Sequence, residues 1–230
     1  MAAREFEKTE LNTVGRLKDR ARYDFATIQS IVQEAKVGHV AFVDDVGRPQ
    51  CVPMLAALEE REDGDLFLYL HGYGGARFVK QMADPGTPVV TTFTLIDGFI
   101  LALSHFNHSM NYRSAVLHGV TLPFSEDELR EGAKSHAFKC VVESATPGRW
   151  ENARQPSPAE DKTTGVIRIR VETASAKVRA KGVGDDAKDL QDEELVGRVW
   201  TGVVPVKLAR GAPEPTPYNK LQVPQHVLDL

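Results

Sequence analysis

The sequence has few cysteines, no long hydrophobic run and no excess of positive charge. Cys51 and Cys140 are the two cysteines among 230 residues, and they form no C-x-x-C pair. This usage is typical of reduced thiols in a reducing compartment and argues against a disulfide or a cysteine-based zinc site. The formal net charge of -4 offers no basic surface for nucleic acid or an anionic membrane.

No stretch approaches the ~20 apolar residues that are needed to cross a bilayer. The amino terminus, MAAREFEKTELN, lacks the apolar segment of a secretory signal. Hydrophobic residues at 42% and charged residues at 26% are ordinary for a globular protein. We therefore expect a soluble, cytoplasmic protein that binds neither membrane nor nucleic acid.

The sequence patterns predict an antiparallel β fold. A helix capped by Asp24 is expected first, followed by a hairpin with strands at 39–43 and 50–58, in which Pro53 favours an edge or a bulge. Further strands are expected at 65–70, 88–95, 99–104, 112–122, 164–182 and 197–206, with helices at 77–83, from Ser125 to about 142, and in the acidic link before 197. Six to eight strands in hairpin order predict an antiparallel sheet or barrel with peripheral helices.

Local composition predicts one tight turn and the character of both ends of the chain. The pair Asp97-Gly98 predicts a tight hairpin turn between two strands. Residues 1–22 are polar and are expected to form an arm with little core of its own. The proline-rich segment 207–230 predicts an extended tail.

A glycine-rich loop follows one predicted strand, in the stretch YLHGYGGARFVKQMAD over 69–84. The pattern G-x-G-x-x-G fails because Arg77 stands where the third glycine belongs, and no Walker G-K-[ST] follows. Glycines leading into a helix start still present backbone N–H groups to an anion, with Arg77 and Lys80 on one helix face. The loop predicts either a phosphate site or a plain surface turn with a solvated arginine.

Histidines and tryptophan suggest weaker hypotheses. His105 and His108 are three residues apart, and His118 would have to join them from the next strand, so no metal site is predicted. Polar residues at a hairpin tip are the alternative interpretation of the pair. Trp200 lies in an apolar run, which favours a core position, with stacking on a planar cofactor as the alternative.

Four segments occur in an order that resembles a known family. They are RPQCVPM, DLFLYLHG with Arg77 downstream, NYRSAVLHG, and WTGVVPV preceded by IRIRVETASAKVRAKG. Over about 24–206 they resemble the FMN-binding proteins related to pyridoxamine 5'-phosphate oxidase, a group that includes nitroimidazole-resistance proteins. The resemblance implies a mainly β (α+β) fold, an antiparallel FMN-binding split β-barrel with peripheral helices. It also implies a homodimer with flavin at the subunit interface, and a domain at 23–206 between the arm 1–22 and the tail 207–230.

The resemblance further implies which residues contact FMN. Arg77 would hold the phosphate. The run Ala76-Arg77-Phe78 lacks a hydroxyl and a second basic residue that relatives have, so either Lys80 compensates or FMN binds more weakly. The remaining implied contacts, along the ring, beside the ribityl chain and from the later motifs, are Val52, Pro53, Met54, Tyr69, Leu70, His71, Gly72, Asn111, Tyr112, Arg113, Ser114 and Trp200. Trp200 would be contributed by the partner subunit.

The predicted function is that of an FMN-dependent oxidoreductase acting on a small molecule. His71 is the candidate catalytic side chain, as a hydrogen-bond or proton donor to the substrate, with a structural or helix-capping role as its alternative. Basic residues that would hold pyridoxal phosphate are not recognised, so vitamin B6 oxidation is not expected. The alternatives are a non-catalytic flavin-binding or storage protein, and a haem-binding relative with His105 or His108 as the iron ligand.

Overall fold

Among the residues that the structure describes, eight antiparallel strands form the framework. The computed structural model describes residues 4–230. The strands are β1 (Ala21–Arg22), β2 (Val37–Val43), β3 (Pro49–Glu60), β4 (Leu66–Tyr73), β5 (Pro88–Leu101), β6 (Ser109–Thr121), β7 (Thr164–Arg179) and β8 (Gly202–Pro205). The α-helices are α1 (Phe25–Ala35), α2 (Arg77–Gln81), α3 (Glu126–Arg130), α4 (Ala133–Ala145), α5 (Pro158–Thr163), α6 (Ala187–Leu190), α7 (Glu193–Arg198) and α8 (Gln225–Leu228).

The strands close on themselves. Their order is β1-β7-β4-β3-β2-β5-β6, with β8 paired to β5. A long pairing between β6 and β7 joins the two ends, so six strands form an antiparallel barrel. The predicted antiparallel fold of six to eight strands is confirmed, although β5 unites the strands expected at 88–95 and 99–104, and β1 was not predicted.

Strand β3 is shared between two neighbours. Residues 49–55 pair with β2, and residues 56–60 pair with β4. Among residues 4–230, the second edge of segment 49–55 has no strand partner. Pro53 lies in this segment, as its missing N–H predicted.

The predicted turn at Asp97-Gly98 is wrong. Strand β5 runs through both residues, with a register shift between Ile96 and Gly98. The Asp97 carboxylate accepts hydrogen bonds from the Arg113 guanidinium. A Cβ on Gly98 would lie 2.9 Å from the carbonyl oxygen of Val204, so glycine allows β8 to approach. Pairing on both edges outweighed the local turn preference of the dipeptide.

Helix α1 supplies much of the main core. The Asp24 carboxylate accepts the Thr27 N–H at 2.8 Å and caps the helix, as predicted. Ile28, Ile31 and Val32 are buried against side chains from the barrel strands. A second cluster forms where α4 covers the outside of β3 and β4.

Helix signals beyond the barrel are mostly confirmed. Ser125 forms the predicted capping box, but the helix is divided into α3 and α4 because Gly132 adopts a φ of +88°. Helices α6 and α7 occupy the acidic link, and α7 replaces the start of the strand expected at 197. In residues 4–230 no helix combines the length and apolarity required to cross a membrane.

The described part of the amino-terminal arm contributes more to the core than expected. Phe6 is buried in the main cluster, and its N–H donates to the carbonyl of Tyr23. The buried Asn12 amide donates to Thr173 Oγ1 at 2.6 Å. The expectation of little core fails at these residues, because side chains spaced along a polar segment can still find pockets on the barrel.

Candidate functional site

The glycine loop after β4 is packed tightly against the start of β7. The Gly74 N–H donates to the carbonyl of Thr163 at 2.8 Å. A Cβ on Gly74 would lie 3.1 Å from that same oxygen, and a Cβ on Gly165 would lie 2.4 Å from a methyl group of Val79. The glycines therefore allow close approach of two backbones, while α2, with five residues, is too short to contribute much dipole of its own.

Arg77 opens α2 and reaches a buried carboxylate. Its Nη2 donates to Asp44 Oδ2 at 2.6 Å, while the Arg77 side chain stays 64% exposed and the Asp44 side chain is fully buried. The exposed part of the guanidinium faces a hollow of about 650 Å³, which Lys80 also lines. Asp44 thus positions Arg77 and leaves donors free for a ligand.

Asp44 was not singled out from the sequence. Its carboxylate accepts the backbone N–H groups of Arg48 at 2.8 Å and Val46 at 3.2 Å, and the Gln50 amide at 3.0 Å. These hydrogen bonds, led by that of Arg48, and the charge of Arg77 hold the pKa of Asp44 below its usual value. The signal that was available is an aspartate at the start of a hairpin turn ending in Gly47.

The free edge of β3 lies beside the glycine loop. A Cβ on Gly72 would be 3.7 Å from the terminal methyl of Met54 and 3.4 Å from Val79. Val52 and Met54 are half-buried, and Pro53 is exposed. The structure therefore brings together the residues predicted for the ring, Val52 to Met54, with Gly72 and the Arg77 hollow.

Tyr69 and Leu70 lie in the interior instead. Both residues have no exposed surface, and the Tyr69 hydroxyl donates to Glu59 Oε2 at 2.8 Å. Their side chains contribute to the packing that supports the site. His71 is half-buried on the same strand and meets the ring of Phe138 edge-on, with 5.1 Å between ring centroids.

The motif on β6 lies at the other end of the barrel. Tyr112 pairs with Ile96, eight residues along β5 from Pro88, which follows Thr87 of the Arg77 hollow. Eight residues of strand span about 26 Å. The strand pairing therefore places Asn111, Tyr112, Arg113 and Ser114 at the opposite end of β5 from the Arg77 hollow.

The side chains of this motif are engaged in local contacts. Arg113 bonds to Asp97 and forms an ion pair with Glu34. The Asn111 amide donates to the carbonyl of Lys181 at 3.0 Å, and Ser114 Oγ donates to the carbonyl of Lys177 at 3.4 Å. Tyr112 is half-buried between β5 and β7.

Trp200 is 65% exposed and precedes β8, so the predicted core position is wrong. A Cβ on Gly202 would lie 2.5 Å from the indole, which shows that the ring covers that glycine. Phe99, Met110 and Val204, which pair across β5, β6 and β8, are also exposed. Trp200 thus lies near an exposed apolar strip.

The three histidines weighed as ligands do not converge. His105 and His108 are exposed at a short 3-10 helix, with 6.2 Å between ring centroids, and His108 Nδ1 bonds to the carbonyl of Ser104. His118 is half-buried on β6, and burial lowers its pKa. The hairpin-tip interpretation describes the first two better than a haem-ligand role.

Comparisons with known proteins agree with this architecture. The family model for pyridoxamine 5'-phosphate oxidase matches residues 24–178. The structure of the flavocytochrome Anf3 from Azotobacter vinelandii is 29% identical and has a TM-score of 0.79, with 96% of each chain covered. The FAD and haem binding protein from Mycobacterium smegmatis is 26% identical, with a TM-score of 0.74 and coverage of 91% of this chain and 96% of that one.

A proposed 5-nitroimidazole antibiotic resistance protein from Bacteroides thetaiotaomicron is 26% identical, with a TM-score of 0.52 and coverage of 69% of this chain and 86% of that one. A comparison with curated proteins gave no match. The chain belongs to the pyridoxamine 5'-phosphate oxidase family, and the resemblance inferred from the sequence is confirmed. Its fold is the split β-barrel that flavin-binding and haem-binding proteins share.

Proposed function

We propose that this protein binds FMN along the free edge of β3, with the phosphate at Arg77, and acts as an oxidoreductase on a small molecule. The observation that carries the proposal is that the second edge of segment 49–55, unpaired among the described residues, lies beside a hollow that Arg77 and Lys80 line. Successive residues of a strand direct their backbone groups to opposite edges, so part of the backbone of Val52 to Met54 faces the unpaired edge and is available to the polar edge of a ring. Arg77 and Lys80 line the hollow in which we place the terminal phosphate.

The donor set fits a phosphate. Arg77 uses one terminal nitrogen for Asp44 and keeps the rest of its planar fork for an anion. Three aspartates, Asp44, Asp45 and Asp84, also line the hollow. The buried one is satisfied by four donors, so it orients Arg77 more than it repels the ligand.

The side chains and backbone of this protein would position the flavin and donate a proton to the substrate. A bound flavin supplies electron or hydride transfer. Gly72 lets the backbone approach the ring, and the half-buried His71 next to it is held by Phe138. From this position His71 would donate a proton or a hydrogen bond to the substrate.

The experiment that tests the phosphate site is Arg77→Ala. Loss of a charge-assisted contact of about 1.5–3 kcal/mol should weaken FMN binding by roughly ten- to a hundred-fold. Fluorescence titration of the apoprotein measures the affinity, and chromatography of the released flavin distinguishes FMN from FAD. Arg130→Ala is the matched control, since Arg130 is an exposed arginine of α3 that pairs only with Glu126 and Asp127 among the described residues. An Arg77→Ala protein with unchanged affinity contradicts the assignment.

Haem is a second candidate, favoured by one cleft. Phe138, Val142 and Trp150 line an apolar space of about 340 Å³ that also receives Arg149 and Arg154. Arg149 suits a propionate group, whereas Arg154 is already paired with Glu160. His71 contacts Phe138 of this cleft and is therefore the iron ligand that we propose in place of His105 or His108. The absorption spectrum of the purified protein tests this candidate. A Soret band that is lost in His71→Ala and kept in His105→Ala supports it, and a flavin spectrum alone contradicts it.

A further inference from the structure

Three different metal-ligating side chains converge on the outer face of the barrel. His136 and Cys140 lie one turn apart on α4, and Glu59 comes from β3 beneath them. His136 Nε2 lies 2.6 Å from Glu59 Oε1, and Cys140 Sγ lies 3.5 Å from that nitrogen and 3.8 Å from that oxygen. The cysteine spacing predicted no zinc site, and no sequence pattern links Glu59 to His136 and Cys140, which are more than seventy residues away.

This arrangement does not suit a nucleophilic thiol. In a triad the base uses its two ring nitrogens for different partners, whereas here Glu59 and Cys140 approach the same nitrogen of His136. Burial, together with the charge of Glu59, raises the pKa of the Cys140 thiol to about 12. The thiol is therefore protonated at neutral pH, and covalent catalysis is not favoured.

The separations match a tetrahedral metal centre. With Zn–S near 2.3 Å and Zn–N or Zn–O near 2.1 Å, ligand atoms around zinc lie about 3.4–3.6 Å apart. The two separations that involve Cys140 are already within about 0.3 Å of these values. The His136–Glu59 pair is a hydrogen bond that would widen by about 0.8 Å, a small side-chain movement.

The surroundings support a cation. Glu59 Oε2 accepts the hydroxyl hydrogen of the buried Tyr69, which fixes the orientation of the carboxylate. The ring of Tyr69 also meets His136 edge-on. One side of the cluster faces a hollow of about 370 Å³ whose charged lining, apart from Arg61, is acidic: Glu59, Glu60, Glu62, Glu128 and Glu131.

We propose that Glu59, His136 and Cys140 bind a divalent transition-metal ion, with Zn²⁺ as the best match to the mixed oxygen, nitrogen and sulfur donors. The fourth position is open to water from the acidic hollow, as in zinc sites with three protein ligands. On binding, Cys140 releases its proton to solvent and coordinates as the thiolate, and His136 carries its remaining proton on Nδ1. The site is distinct from the proposed flavin site, because Glu59 lies in the part of β3 that pairs with β4 and not in the unpaired segment 49–55.

Metal titration of the full-length, reduced protein tests the proposal. We expect one equivalent of Zn²⁺ to bind, measured by competition with a chromophoric chelator. Co²⁺ in its place should give a sulfur-to-cobalt charge-transfer band. Cys140→Ser should abolish that band. Cys140→Ser and His136→Asn should each weaken Zn²⁺ binding by at least about tenfold. Cys51→Ser is the matched control, because Cys51 is the other cysteine and is exposed on β3.

The Tyr69→Phe variant distinguishes a metal site whose carboxylate is oriented by Tyr69 from three side chains that lie together by coincidence. This substitution removes the hydrogen bond to Glu59 and should weaken Zn²⁺ binding by about ten- to a hundred-fold. The charge-transfer band of the Co²⁺-saturated protein should remain. Circular dichroism of each variant establishes that it folds. Zn²⁺ binding that is absent from folded wild type, or that is unchanged in folded Cys140→Ser, overturns the proposal.

Discussion

Arg168 shows how one side chain can join two parts of the molecule. It is buried on β7, where its Nε donates to the carbonyl of Leu122 and its Nη1 donates to Glu128 at 2.6 Å. Its guanidinium also stacks over Phe124, 4.4 Å from the ring centroid. These contacts tie the segment leading into α3 to the barrel, and they place a charge pair where protonation affects stability.

At the scale of single residues, we predict that the ionisation of Glu128 contributes to the pH dependence of stability. The hydrogen bond from Arg168, and then that from the Ser125 N–H, hold the pKa of Glu128 at about 2, below its ordinary value of 4.5. A carboxyl group whose pKa is lowered on folding stabilises the folded protein at pH values above its pKa in the unfolded state. For Glu128 this contribution is lost as the pH falls from about 4.5 to about 2. Glu128→Gln should therefore make the free energy of unfolding less dependent on pH in that window.

Urea unfolding at a series of pH values measures this dependence. Glu131→Gln is the control, because Glu131 is an exposed acid of the same acidic hollow. A Glu128→Gln protein whose stability falls with acid as steeply as the wild type would contradict the assignment of this titration to the Arg168 pair.

At the scale of elements, the pairing of β6 with β7 depends on one close backbone contact. The register shifts between His118 and Gly119, and a Cβ on Gly119 would lie 2.1 Å from the carbonyl oxygen of Arg170. Because that oxygen belongs to the strand backbone, no side-chain rotation can relieve the contact. Gly119 therefore permits the irregular pairing that closes the barrel.

Gly119→Ala should destabilise the protein by about 3 kcal/mol, the upper end of the usual cost of overpacking. Chemical denaturation measures the change. Gly197→Ala is the matched control: a Cβ there meets nothing within 4 Å among the described residues. Since Gly197 lies inside α7, alanine should stabilise it by up to about 1 kcal/mol. Equal stability changes in the two variants would remove Gly119 from this role.

At the scale of the whole molecule, the site residues implied by family resemblance fall at two ends of one barrel. The strand pairing places Arg77 and Trp200 near opposite ends of β5, so we do not expect one flavin to contact both within a chain. A homodimer would resolve this, with the exposed apolar strip of Phe99, Met110 and Val204 available to a second copy. We infer that each flavin is held by Arg77 of one protomer and by Trp200 of its partner.

Subunit complementation tests that inference. Arg77→Ala and Trp200→Ala proteins should each bind FMN weakly. In a mixed dimer, one site carries both defects and the other carries neither. If the two co-expressed chains pair at random, about half of the dimers are mixed, so roughly a quarter of all sites should regain wild-type affinity. Fluorescence titration of the purified mixture detects that fraction. A mixture with weak sites alone, or a wild type that sediments as a single chain of 25.4 kDa, contradicts a shared site.

The sequence indicated local elements well where local chemistry is sufficient. Asp24 caps α1, Ser125 forms a capping box, and the predicted hairpin around Gly47 forms between β2 and β3. It also indicated the family, through four short motifs, and Arg77 as a cation beside a close-packed glycine loop. Each of these depends on residues within a few positions of one another, or on motif order along the chain.

Tertiary structure decided what depends on distant residues. Asp97-Gly98 became a bulge because β6 and β8 pair on both sides of it, and Trp200 became exposed because no strand covers it in residues 4–230. Tyr69 turned inward toward Glu59, and only folding placed Glu59 against His136 and Cys140, which lie more than seventy residues away in sequence. Propensity acts over a few residues, whereas burial and pairing act between surfaces that the chain brings together only when it folds.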